Sequence, residues 1–114
     1  MRVPANLRYA ETHEWVRVED DGIVIGVTDY AQSEMGDVVF AELPSVGAEY
    51  EKGESLAVVE SVKAVSDIYT PTGGTIVAVN EALIDSPELV NDDCYGEGWL
   101  VKLSLPEEAE LEEL

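Results

Sequence analysis

Apolar and polar residues alternate along Trp15-Val16-Arg17-Val18-Glu19, the period-two pattern of a half-buried strand. Asp20-Asp21-Gly22 then supplies turn chemistry, and Ile23-Val24-Ile25-Gly26-Val27 returns as a second strand. Asp29, with Gln32 three residues on, marks a helix start, and Gly36 marks its stop, so a short helix is expected over 29–35. The β-rich run from Asp37 to Leu43 ends at Pro44, with Gly47 in the turn that follows. Ser55–Ser61 and Val65–Thr70 read as two further strands, joined by Val62-Lys63-Ala64. Pro71-Thr72-Gly73-Gly74 is a turn before a strand over Thr75–Val79. Glu81–Asp85 fits a helical turn, and Pro87 separates it from Glu88-Leu89-Val90. After the Tyr95-Gly96-Glu97-Gly98 loop, Trp99–Leu103 forms the last strand, and Pro106 opens a short acidic helix to residue 114. Short strands punctuated by Gly and Pro predict a mainly β domain, a flattened barrel or sandwich with a few short helices.

Length and composition narrow this picture. A chain of 114 residues suits one domain. With 46% hydrophobic and 27% charged residues it is composed as a folded domain, and no apolar run approaches the ~20 residues of a membrane-spanning helix. The segment Met1–Asn6 lacks the apolar stretch of a signal peptide and the Arg- and Ser-rich character of a transit peptide, and it reads as a complete N-terminal extension. A single cysteine, Cys94, fits a reducing compartment, so a cytoplasmic location is expected. The net charge of −19, from 25 acidic and 6 basic side chains, repels phosphate backbones and anionic lipid. Nucleic acid and membrane are therefore not expected partners, whereas basic protein surfaces are compatible ones.

The chemistry concentrates on one lysine. Gly53 lies ten residues before Lys63 and Gly73 ten after, so turn glycines bracket a hairpin with Lys63 at its tip. A lysine in a tight turn ordinarily has Gly, Asn or Asp beside it; this one has Val62 and Ala64. Glu60, Asp67 and the negative overall charge favour its protonated form, which argues against a Schiff-base nucleophile. A tip lysine suits a tethered group whose base stays fixed, although any solvent-facing lysine shares that exposure. Other constellations are weak. His13 is the sole histidine, Asp20-Asp21-Gly22 and Asp92-Asp93 lack calcium-loop spacing, and no G-x-S-x-G or G-x-G-x-x-G motif occurs, so no metal and no catalytic residue is expected. Trp15 and Trp99 open strand patterns and read as core aromatics.

Glu60-Ser61-Val62-Lys63-Ala64 resembles the lipoyl-attachment motif of glycine cleavage H proteins. The similarity continues through His13-Glu14-Trp15-Val16, Gly26–Gln32, Gly36–Phe40, Pro87–Asn91 and Tyr95–Trp99, covering about residues 8–105. Lipoyl domains of 2-oxoacid dehydrogenases tend to have Asp before the lysine and biotin carriers Met around it, and neither is present. The resemblance implies the hybrid fold of lipoyl and biotinyl carriers and lipoic acid bound as N6-lipoyllysine at Lys63. It implies a non-catalytic shuttle that takes an aminomethyl group from the pyridoxal-phosphate-dependent P protein to the T protein. The L protein, a dihydrolipoamide dehydrogenase, then reoxidises the arm. Lipoylating enzymes are further partners, with Glu60 as a recognition element. Matched positions give Thr12, Glu14 and Asp67, with Glu34 as a weaker member, as the cleft for the loaded arm; each acid also reads as a solvated carboxylate. Where other members often have histidines in the short helix, this chain has Tyr30 and Glu34, and after Leu105 members usually continue further. A 2-oxoacid dehydrogenase lipoyl domain, a carrier that relays lipoyl groups and an unmodified acidic interaction protein are the alternatives.

Overall fold

A computed structural model describes residues 7–10, 13–19 and 22–104. Thr12 and the helix expected over 106–114 lie outside the described residues. Among the described residues the chain forms nine strands and three short helices. In order these are β1 (Arg8–Tyr9), β2 (Glu14–Glu19), β3 (Gly22–Val27), α1 (Asp29–Met35), β4 (Val38–Glu42) and β5 (Glu49–Tyr50). Then follow β6 (Ser55–Ser61), β7 (Val65–Tyr69), β8 (Gly74–Val79), α2 (Ala82–Asp85), α3 (Leu89–Asp92) and β9 (Val101–Leu103). All pairings are antiparallel, in one six-stranded sheet ordered β1-β2-β3-β9-β8-β5 and one three-stranded sheet ordered β4-β6-β7. The sheets do not close on each other, so the mainly β fold takes the sandwich form of the two expected.

One apolar cluster joins the two sheets. Val16, Ile23 and Ile25 come from the larger sheet, Val38, Val59 and Ile68 from the smaller, and Leu83, Val90 and Met35 from the helices. β3 lies at the centre of this arrangement and all six of its residues are buried. Strand alternation sends Ile23, Ile25 and Val27 into the main cluster and Val24 to the other face, where it joins Leu7 and Trp15. The same alternation on β2 puts Glu14 on the face of Val16, so its carboxylate starts out directed into the space between the sheets. Trp15 faces the other way, fully buried, with its Nε1 donating to the Cys94 carbonyl at 2.8 Å. Gly26 pairs opposite Trp15, and a Cβ there would come within 2.5 Å of the indole, so only glycine fits this close approach.

The helix occupies the expected residues 29–35, but its capping residue differs from the start signal read at Asp29. Thr28, not Asp29, is the N-cap: its Oγ1 accepts from the Ala31 N–H at 3.1 Å. Asp29 instead accepts from the Gln32 side chain at 2.7 Å, which fixes the direction in which Gln32 points. Gly36 ends the helix with φ +77, and its N–H donates to the Gln32 carbonyl. The last strand starts at Val101 instead of Trp99, although the Leu100 N–H already donates to the Ile25 carbonyl at 2.9 Å. A register shift between Val38 and Phe40 leaves Val39 and Phe40 both exposed on β4. β1, β5 and α3 have no counterpart among the expected elements.

Candidate functional site

β6 and β7 form the expected hairpin, paired from Ser55↔Tyr69 to Glu60↔Val65 with one register shift between Ser55 and Ala57. The Ser61 N–H donates to the Ala64 carbonyl at 2.8 Å to close a two-residue tip of Val62 and Lys63. Two-residue hairpin loops favour turns that need positive φ, which is why Gly and Asn are common there. Neither tip residue has positive φ. Ser61 supplies what glycine would otherwise relieve: its Oγ accepts from the Ala64 N–H at 3.1 Å and from the Lys63 N–H at 3.4 Å. Val62 and Ala64 can therefore flank the lysine without a special turn residue beside it.

The tip is also anchored sideways. The Val62 N–H donates to the Asp37 carbonyl at 3.0 Å, tying the hairpin to the link between α1 and β4. Lys63 is exposed, and among the described residues its ammonium forms no ion pair. Its Cε lies 3.6 Å from where a Cβ on Gly36 would stand, so the aliphatic stem rests on bare glycine backbone. Beyond Gly36 opens a cavity of about 270 Å³. Val27, Ala31, Met35 and Ile68 contribute apolar surface to it, and Ala64 belongs to its wall, which joins the cavity directly to the lysine turn. Its polar members are His13, Glu14, Tyr30, Glu34, Ser66 and Asp67.

Glu14 is 2% exposed, whereas Glu34 and Asp67 lie at the open side. Asp67 shares the outer face of β7 with Val65 and Tyr69, and its Oδ1 accepts from the Ser55 hydroxyl at 3.1 Å. Thus three of the four cleft positions expected from sequence come together, and Thr12 lies outside the described residues. Glu60 does not line the cavity; it lies on the same outer face of the hairpin as Asp67, paired with Phe40 and Val65. Both neighbours are apolar, so cross-strand charge pairing is not its role.

Two further wall residues, His13 and Tyr30, are not among the expected cleft positions, although Tyr30 stands out as a departure from the histidines of the family's short helix. His13 adopts φ +70, unusual without a Cβ-free residue, held by its N–H to the Ala10 carbonyl and by its carbonyl accepting from the Thr28 N–H, both at 3.0 Å. That conformation sets its ring 4.6 Å from the Tyr30 ring at the cavity. The site so built offers a small apolar chamber with acidic and aromatic walls, next to one accessible amine. It suits a cation carried on an apolar stem.

A model of the family described as glycine cleavage H-protein matches residues 7–114. The chain belongs to the glycine cleavage H-protein family. It is 54% identical over 114 residues to the glycine cleavage system H protein of Halothermothrix orenii, covering all of this chain and 89% of that one. Its identity to the H protein of Alkalilimnicola ehrlichii is 57%, over 99% of this chain and 88% of the other. The crystal structure of an H protein from Mycobacterium marinum superposes with a TM-score of 0.86 at 35% identity, covering 97% and 98% of the two chains. Family and fold therefore agree with the resemblance carried by the lysine hairpin. Among the described residues of this H-protein family member, no helix is long and apolar enough to cross a membrane.

Proposed function

We propose that this chain is the lipoyl-carrying shuttle of a glycine cleavage system, modified on Nζ of Lys63. The carrying observation is the continuity of the exposed lysine, the Gly36 saddle under its stem and the acidic cavity beyond. These residues fit a lipoyl group: the amine is accessible for acylation, and the cavity has apolar walls beside carboxylates. When attached, that group supplies the sulfur chemistry that takes up, holds and releases the one-carbon cargo. The chain carries the aminomethyl group from the P protein to the T protein and returns through the L protein, as a single-domain, non-catalytic component in the cytoplasm. Lipoylating enzymes reach Lys63 from the open side of the turn. Intact mass and peptide mapping of protein made in a lipoylating host test this reading; an unmodified Lys63, with a control substrate fully modified, overturns it.

The protein's own residues retain the cargo. Glu14, buried against the chamber, and Asp67 at its rim place negative charge where a protonated amine would lie, in a setting with less water to screen it. Apolar groups from α1 and β7 exclude water, against which an aminomethyl group is labile. Charge-assisted hydrogen bonds contribute about 1.5–3 kcal/mol each. The double variant Glu14→Gln with Asp67→Asn should accordingly lose its cargo about tenfold faster or more. Mass spectrometry of the isolated loaded protein over time reads this directly, and an unchanged decay rate excludes both acids from retention.

Glu60 has a separate part. It is half-buried between two apolar neighbours and carries no ion pair among the described residues, which leaves its carboxylate available to a visiting basic group. Glu60→Gln should slow lipoylation at Lys63 several-fold in a folded protein, since an ion pair at a partly exposed carboxylate contributes up to about 1 kcal/mol. Lipoylation at the unmodified rate removes Glu60 from recognition.

A further inference from the structure

The geometry points to Asn91 as the positioning residue that sets Lys63 at its distance from the acidic cavity, an inference that rests on the carrier reading. Asn91 lies on α3, remote in sequence from both the helix and the hairpin of the site. Its side-chain amide is used at both ends. Oδ1 accepts from the Val38 N–H at 2.8 Å, while Nδ2 donates to the Gly36 carbonyl at 2.9 Å and to the Gln32 Oε1 at 3.1 Å.

Gly36 and Val38 bracket Asp37, so one amide clamps the backbone on both sides of that residue. The carbonyl of the clamped Asp37 is the acceptor for the Val62 N–H, the residue immediately before Lys63. Gly36, the other clamped residue, is the surface on which the Lys63 stem rests. Through Gln32, oriented by Asp29, the same amide is tied to α1, which bears Tyr30, Ala31, Glu34 and Met35 of the cavity. A single side chain therefore joins the floor under the arm, the anchor of the turn and the helix that walls the chamber. Loss of this junction frees the turn to ride away from the cavity while both sheets stay intact.

Asn80 provides a matched comparison. Its Nδ2 also donates to two carbonyls, those of Glu97 and Trp99 at 2.6 and 2.8 Å, and its Oδ1 accepts from the Ala82 N–H. These contacts lie on loops and α2, away from the lysine turn. Asn91→Asp keeps an acceptor for the Val38 N–H but sets oxygen against the Gly36 carbonyl and the Gln32 Oε1. Asn80→Asp makes the equivalent change at the other clamp.

The test measures amide hydrogen exchange of Val62 in unmodified full-length protein, well below each variant's melting temperature, and then the lifetime of the aminomethyl-loaded form. Asn91→Asp should exchange Val62 about tenfold faster, the factor given by about 1.4 kcal/mol of lost closing free energy, and should shorten the lifetime in parallel. Asn80→Asp should change neither, even at an equal loss of melting temperature. If Asn91→Asp does not fold, Gln32→Ala removes one anchor of the clamp and should show the same pattern at smaller size. Val62 protection equal to wild type, or an equal effect from Asn80→Asp, overturns the assignment. A protein that is never lipoylated defeats the carrier reading instead, and the exchange measurement still decides the role of Asn91.

Discussion

Lys63→Arg is expected to abolish lipoylation completely and, with it, all glycine-dependent carrier activity, while the melting temperature stays essentially unchanged. The stability half follows from exposure: the side chain forms no ion pair among the described residues and rests only on Gly36, and such surface changes ordinarily stay within about 0.5 kcal/mol. The chemical half follows from the amine. Arginine keeps the positive charge but its guanidinium stays protonated, so no nitrogen is available for acylation. The other two lysines are poor substitutes. Lys102 is engaged by Glu19 at 3.1 Å in the middle of β9, a strand paired on both sides. Lys52 sits in the turn before β6, at the opposite end of the hairpin and about 20 Å away by strand rise. Intact mass of the variant decides the matter, and a lipoyl increment surviving in Lys63→Arg would falsify the assignment.

Trp15→Ala should cause the largest loss of stability of any single change in the described part of the chain. The indole is fully buried, is closed over by a glycine that exists there to admit it, and donates a buried hydrogen bond across the fold to residue 94. Truncation forfeits the buried area and leaves a cavity, at about 3–5 kcal/mol. Against a typical total of about 5–15 kcal/mol this approaches global unfolding. For a domain of this size it corresponds to a drop of roughly 12–25 °C in melting temperature, read by thermal denaturation. A drop of only a few degrees would mean that the second apolar cluster is dispensable.

How much of this could be read in the sequence depends on the range of the interaction involved. Contiguous β-rich runs, such as Ser55–Ser61, and the Asp29–Met35 helix are local facts and matched the expected boundaries. β1 and β5 are two residues long and carry no period, so only their partners β2 and β8 reveal them. The lysine turn was legible from its bracketing glycines, but not the reason it tolerates Val and Ala, because a hydroxyl bond within the turn leaves no compositional trace. Glu14 could be placed by motif resemblance; its burial required knowing which sheet faced it. The His13–Tyr30 pair and Asn91 were invisible for the same reason, since contacts spanning 17 and more than 50 residues are fixed by tertiary packing and not by spacing.

The serine-braced turn has one consequence for how the molecule meets others. With Ser61 holding the turn and Asp37 fixing its side, the pivot of any tethered group lies at the lysine side chain and not in the backbone. The accessible territory is then a cap of fixed radius above an immobile post whose flanks, Val62 and Val65, are each more than two-thirds bare. A partner's reaction centre must lie within one arm's length of a surface shaped to receive that blunt apolar nose. On the carrier reading, the depth of the receiving well in each partner, more than flexibility in this chain, sets which partners the arm can serve.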